Sequence, residues 1–181
     1  MAERSKIIDS MKTAETAERN KYIADHKLVL KTTASGLQYV ITKPSLKHKP
    51  LAGDTVLVNY VGRFLNGQIF DTSIQTEAEK AGLNQPGRTY EPYKFVVGKG
   101  NVVAGWDEGL LLLGNGAKAT FVIPSSLAYG QEGYSDIPPF ATLVFDLELA
   151  GIKPVKHTPP AAKPAAKKPG IKKHTVAKKK S

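Results

Sequence analysis

Side chains along residues 56–64 alternate as in a half-buried strand. After Asn66-Gly67 a second run, residues 68–73, turns back. Asn-Gly between two such runs is a strong hairpin signal. The hairpin delivers an aromatic, Phe70, and a carboxylate, Asp71, side by side at its end. Further strands are predicted over residues 37–41, 93–97, 119–123 (stopped by Pro124) and 142–149, the last alternating cleanly. A short helix is predicted from Val103 to Leu111, running on towards Gly114, with Asp107 and Glu108 early in it as the helix dipole prefers. Residues 3–31 lack Gly and Pro, are rich in Glu, Lys, Ala and Arg, and read as one helix. Its apolar stripe is thin, with a polar gap from Glu15 to Lys21, which fits an exposed helix resting one edge on the domain better than a dimerisation arm. Many strands and one short internal helix predict an α+β fold, an antiparallel sheet wrapped around that helix.

Charge divides the chain. The net charge is +10, yet from residue 153 to 181 there are ten lysines and no acid, so the preceding residues balance sixteen cations against sixteen anions. A neutral domain and a cationic arm are separate physical objects. Three regions follow: a helical extension over 1–35, a globular domain over 36–152 and a Lys-, Pro- and Ala-rich tail over 153–181. The tail is expected to be disordered, since it has almost nothing to bury against its ordering entropy. Ten cations on a flexible arm suit nucleic acid or an acidic protein, with strong salt dependence and no base readout; a solvated, solubilising tail is the other reading. There is no cysteine, which removes disulfides, thiolate metal sites and a Cys nucleophile. The start shows no long apolar run, and Leu110 to Leu113 is far too short to span a bilayer. A soluble cytoplasmic protein without membrane partners is expected.

The candidate chemistry is narrow. His26, His48, His157 and His174 all lie away from the aromatic strands, so a histidine acid/base or metal cluster is not expected. Gly98-Lys99-Gly100 lacks the spacing of a phosphate loop and reads as a tight strand-to-helix turn. Ser125-Ser126 has no base beside it and reads as a turn or cap. What remains is an excess of aromatics next to Gly and Pro, among them Tyr60, Phe70, Tyr93, Phe95, the single Trp106, Tyr129, Tyr134 and Phe145, with Val102, Val103 and Ile137. Such a set suits a concave apolar pocket oriented by a few polar groups, here Asp71 and the hydroxyls of Tyr60 and Tyr129. On pattern alone Asp71 is equally well a hairpin-end salt bridge or helix cap.

The motifs Val58-Asn59-Tyr60-Val61-Gly62, Gly67-Gln68-Ile69-Phe70-Asp71-Thr72-Ser73, Phe95-Val96-Val97-Gly98, Val102-Val103-Ala104-Gly105-Trp106-Asp107-Glu108-Gly109-Leu110, Ala128-Tyr129-Gly130 and Ile137-Pro138-Pro139 follow one another in order. Together they resemble the FKBP-type peptidyl-prolyl cis-trans isomerases from about residue 36 to 152. The leading helix followed by Ser35-Gly36-Leu37-Gln38-Tyr39 is similar to the bacterial Mip-like branch. The resemblance implies a curved antiparallel sheet around one short helix. It also implies rotation about the peptide bond before proline, on proline-containing peptides and unfolded protein clients, with no cofactor or metal. By resemblance Trp106 is the floor under the proline ring. Tyr60, Phe70, Tyr93, Phe95, Val102, Val103, Ile137 and Phe145 line the walls. Tyr129 and the Val103 backbone N–H hold substrate carbonyls, and Asp71, steadied by Tyr60, stands beside the twisting amide. FKBP-directed macrolides are implied as ligands of the same pocket.

The chain departs from the family pattern at Asn101, where an acid or Gln is familiar, at Tyr93 in place of a Phe, and over residues 74–91, a longer stretch in which Arg88 has no fixed alignment. A chaperone or scaffold module that keeps the pocket is the competing expectation.

Overall fold

The structure, a computed structural model, describes residues 2–156. The N-terminal helix α1 spans Ala2–Asp25. It ends six residues before the predicted boundary because Lys27 turns left-handed (φ 52°), and the chain closes on itself. Leu28 N–H donates to the Ile23 carbonyl (3.0 Å) and Lys27 N–H to that of Ala24 (3.1 Å). This is a Schellman-type stop with Lys where Gly is usual, so no glycine marked it in the sequence. Short β1 (Lys31–Thr32) and β2 (Gln38–Lys43) follow, then the long β3 (Thr55–Phe64), β4 (Ile69–Thr72), the helix α2 (Gln75–Lys80) and β5 (Tyr93–Val96). The central helix α3 (Ala104–Leu110), β6 (Lys118–Ile123), a 3-10 turn (Ser125–Leu127) and β7 (Leu143–Lys153) complete the described chain.

The strands pair antiparallel in the order β1-β2-β6-β7-β3-β4, and β5 shares with β4 the free edge of β3. The expected α+β architecture is the one observed. β3 is the spine: it pairs with β7 over its whole length on one side, while its other edge takes β5 at Thr55 to Val58 and β4 at Val61 to Arg63. Alternate burial of Val56, Val58 and Tyr60 on β3 faces α3, whose Trp106 and Leu110 complete the core with Phe121, Leu143 and Phe145. Residues 74–91 hold one element the sequence pattern did not reveal, α2, anchored by the buried Ala78.

The helix lies against the sheet because Gly109 has no side chain. A Cβ there would stand 2.3 Å from Phe121 Cε2, and Phe121 is fully buried. Gly109→Ala is therefore expected to overpack the core and cost about 1–3 kcal/mol, read as a lower urea midpoint with an unchanged slope. A midpoint at or above that of the parent would contradict the packing described.

α1 does rest one edge on the domain. Tyr22 packs with Val122 and Val144, supported by Ile23, Leu28 and Leu30. The supposed polar gap, however, holds a second contact: Glu15 is buried and bonded to Ser125 and Thr142. β7 continues to Lys153, and Val155 N–H donates to Asp54 Oδ1 (3.0 Å), so the first residues of the predicted tail are tied to the domain. The remainder of that tail, with His157 and His174, lies outside the described residues.

Candidate active site

The site is built on an irregularity of the hairpin. Gly62 pairs with Asp71 but Arg63 with Ile69, leaving Phe70 as an extra residue on β4. A bulge of this kind breaks the alternation that would send neighbouring side chains to opposite faces. Phe70 and Asp71 consequently both line one cavity of about 430 Å³. Gly62 makes the room opposite: a Cβ there would lie 2.6 Å from Phe145 Cε1 and 2.8 Å from Phe70 Cζ.

Trp106, carried by α3, is enclosed by other aromatic rings. Tyr60 meets it at 5.1 Å and 74°, Phe145 at 5.2 Å and 82°, and Phe95 at 5.9 Å and 42°. These are edge-to-face and tilted contacts that hold a rigid ring wall. The indole Nε1 is buried without a partner among the described residues. Phe70 closes the side, edge-on to Phe145 at 5.6 Å and packed on Phe64 at 4.9 Å. Val102, Val103, Tyr93 and Tyr129 complete the rim.

Nine of the eleven residues expected at the site line this cavity. Phe95 and Ile137 do not; both are buried in the core, Phe95 stacked under Tyr93 at 5.3 Å and behind Trp106. Their role is support of the wall. Tyr93 and Phe95, two residues apart, share one face of β5: Phe95 is buried beside Trp106, while Tyr93, at the start of the strand, stays exposed at the mouth. Arg88 and Asn101 join the lining. Tyr134 stacks on Tyr129 (5.2 Å, 14°) outside the cavity.

Asp71 combines the two readings open to it. Its Oδ2 accepts the Tyr60 hydroxyl at 2.6 Å, and its Oδ1 accepts Thr72 N–H at 2.8 Å and Arg88 Nη2 at 3.3 Å. It is thus a hairpin-end ion pair and a pocket carboxylate at once. Arg88 also donates to the Thr72 carbonyl (3.1 Å) and lies over the Tyr90 ring at 4.9 Å. Sequence reasoning could not place Arg88, because the segment carrying it has no periodic pattern to set its register.

The loop before α3 is fixed by Asp107. Its two oxygens accept Gly98 N–H (2.8 Å) and Gly100 N–H (2.7 Å), which makes Gly98-Lys99-Gly100 the tight turn expected. The Val103 N–H and the Tyr129 hydroxyl, the two donors implied for substrate carbonyls, have no hydrogen-bond partner among the described residues. Among those residues no group of three His, Cys, Asp or Glu could hold a metal, and no helix is long and apolar enough to cross a membrane.

Burial, then the hydrogen bond and charge of Asp71, push the Tyr60 phenol well above its usual range. Burial, with Tyr134, Asp71 and Tyr93 nearby, raises Tyr129 as well. Both remain neutral donors. In the unfolded chain a tyrosine ionises near pH 10. The stabilisation from the raised Tyr60 pKa is therefore fully present below about pH 10 and is lost as pH climbs towards the folded-state value. Wild type should lose urea stability more steeply between about pH 10 and 11.5 than Tyr60→Phe. Parallel curves would contradict the Tyr60–Asp71 coupling.

The fold and this site define an FKBP-type domain: residues 47–150 match the family of FKBP-type peptidyl-prolyl cis-trans isomerases, and the chain belongs to it. A probable FKBP-type isomerase, FkpA, of Neisseria meningitidis serogroup B is 44% identical over 137 residues, 75% of this chain and 44% of that protein. FkpA of Escherichia coli K12 is 38% identical over 125 residues, 69% of this chain and 41% of that protein. The chain thus spans less than half the length of these two curated relatives. The crystal structure of Escherichia coli FkpA superimposes with a TM-score of 0.64 at 34% identity, covering 84% of this chain and 64% of that one. A peptidyl-prolyl cis-trans isomerase of Pseudomonas syringae pv. tomato gives a TM-score of 0.65 at 32% identity, covering 81% of this chain and 96% of that one.

Proposed function

We propose that this chain accelerates rotation about Xaa-Pro peptide bonds in unfolded or extended polypeptides. The observation that carries the reading is the bulge that brings Phe70 and Asp71 to one aromatic cavity over Trp106. Rotation about an amide is resisted by roughly 18–20 kcal/mol of lost resonance, and the twisted amide is less dipolar than the planar one. It needs no nucleophile, metal or redox group. It needs a site that favours the twisted state over the planar one.

The walls of Phe70, Trp106 and Phe145 strip water from the proline ring. Tyr129 Oη–H and Val103 N–H stand ready for carbonyls on either side of it. Asp71, oriented by Tyr60 and Arg88, places fixed charge beside the turning amide, where preorganised groups act without reorganising. A module that only holds proline segments, as a chaperone or scaffold, is the competing reading; the three-way fixing of Asp71 is more than holding requires. An FKBP-directed macrolide is expected to compete for the same cavity.

The test is a protease-coupled assay on a Xaa-Pro peptide. Cis-to-trans conversion should run well above the uncatalysed exchange, which takes on the order of tens to hundreds of seconds. A rate equal to background would sink the enzyme reading.

The basic arm supports a second, separable contact with nucleic acid. Residues 157–181 carry eight lysines and no acid, and no aromatic to stack on bases. Removing these residues, which leaves Lys153 and Val155 in place, should abolish salt-sensitive DNA or RNA binding while isomerisation of a short peptide is unchanged. Nucleic-acid affinity that survives the truncation would contradict the arm's role, and an arm that captures only acidic proteins would redirect it.

A further inference from the structure

Glu15 is a buried acid on α1 that the chemistry above does not use. It is 8% exposed. One carboxylate oxygen accepts Ser125 N–H (2.6 Å) and the Thr142 hydroxyl (2.8 Å), and the other accepts the Ser125 hydroxyl (2.7 Å). Arg19 Nη1 stands 3.5 Å from the first oxygen and donates to Thr142 Oγ1 at the same distance. Burying a carboxylate is costly unless its lone pairs are met, and here three neutral donors meet them. Packing alone does not call for this arrangement, because α1 already has an apolar anchor at Tyr22.

What Glu15 grips are the two stems of one loop. Ser125 opens the 3-10 turn, and its carbonyl accepts Ala128 N–H (2.9 Å) and Gly130 N–H (2.8 Å). Tyr129 is therefore held between two residues wound round Ser125. The Gly130 carbonyl accepts Phe140 N–H (2.9 Å), and Phe140 is kept at φ 56°, a conformation bulky residues avoid. Such a backbone persists where its surroundings over-determine it. Thr142, the other stem, leads directly into β7 and Phe145. A continuous chain of hydrogen bonds runs from Glu15 through Ser125 and Gly130 to Phe140, and Tyr129 is carried on it.

We propose that Glu15 is a positioning residue of the isomerase site: from α1 it holds the loop at the geometry in which the Tyr129 hydroxyl meets a substrate carbonyl. This makes the helix outside the matched family segment part of the site. The proposal rests on the isomerase reading and on Tyr129 as its substrate donor.

The test uses the full chain with Glu15→Ala, Glu15→Gln, Tyr129→Phe and the two doubles, assayed well below the melting temperature of each. Glu15→Ala should lower kcat/KM about fivefold or more when Tyr129 is present, and have almost no further effect in a Tyr129→Phe background, the non-additivity of residues that act through one another. Glu15→Gln, which keeps an acceptor, should lose less. Independently of turnover, the amides of Gly130 and Phe140 should exchange with solvent faster in Glu15→Ala, while those of Val56 and Val58 in the core stay unchanged. Equal losses in both backgrounds, or no loss, overturns the proposal; so does unchanged exchange at Gly130 and Phe140. If Glu15→Ala does not fold, the Glu15→Gln cycle decides on the same criteria. A wild type without turnover fails the isomerase reading first, and this proposal with it; an active wild type with additive losses fails this proposal alone.

Discussion

Asp71→Asn is expected to lower kcat for a Xaa-Pro peptide by about tenfold to a hundredfold while the protein stays folded. Removing one preorganised electrostatic group from an enclosed site typically costs about a hundredfold or more. The side chain of Asp71 is 42% exposed, so solvent screening reduces that figure. Asn keeps the shape and an acceptor for the Tyr60 hydroxyl. It loses the charge opposite Arg88, itself one-third exposed, an ion pair whose contribution to stability is about 0–1 kcal/mol. Melting should therefore shift little. The loss belongs to kcat rather than KM, because the charge acts on the twisted amide and not on the bound planar one. Kinetics within twofold of wild type would remove Asp71 from the reaction.

Phe70→Ala should lower kcat/KM by about tenfold or more, with KM raised. The proline ring loses the wall that excludes water, and each 1.4 kcal/mol of lost apolar contact is about a factor of ten. The ring is only partly buried in the free protein, so the stability cost should fall below the roughly 3–5 kcal/mol of a fully buried Phe→Ala change. The readout is the pair of KM and urea midpoint. A large loss of stability with unchanged KM would mean that Phe70 serves the core and not the pocket.

Much of this was legible in the residues. Alternation along β3 and β7 is a direct consequence of one buried face, and Asn66-Gly67 marked the turn joining β3 to β4. Motif order then assigned the pocket to Trp106, Tyr60 and Phe145. What escaped depends on contacts between distant segments. The bulge at Phe70 is a shift of strand register, which a pattern of residue types does not record, and the room Gly62 leaves for the Phe70 and Phe145 rings shows only in three dimensions. Arg88 reaches Asp71 from a segment without periodicity. Phe95 shares a face of β5 with Tyr93 but lies deeper along the strand, behind the pocket, and a pattern of residue types does not record that depth. Glu15 sat in what looked like a polar break in the stripe of α1. An acid is priced as exposed unless its partners are known, and those partners lie more than a hundred residues away.

Trp106 offers the most direct test of the central claim, that this cavity turns prolyl bonds. It is the single tryptophan in the chain, and its indole N–H is buried at the site without a protein partner among the described residues. In one NMR sample, substoichiometric protein should accelerate cis/trans exchange of a Xaa-Pro peptide without changing the equilibrium ratio. In a matching titration the same peptide should shift the Trp106 indole resonance, and an FKBP-directed macrolide should abolish both effects. Exchange at the uncatalysed rate, or acceleration while the Trp106 resonance stays unmoved by saturating peptide, would contradict the account.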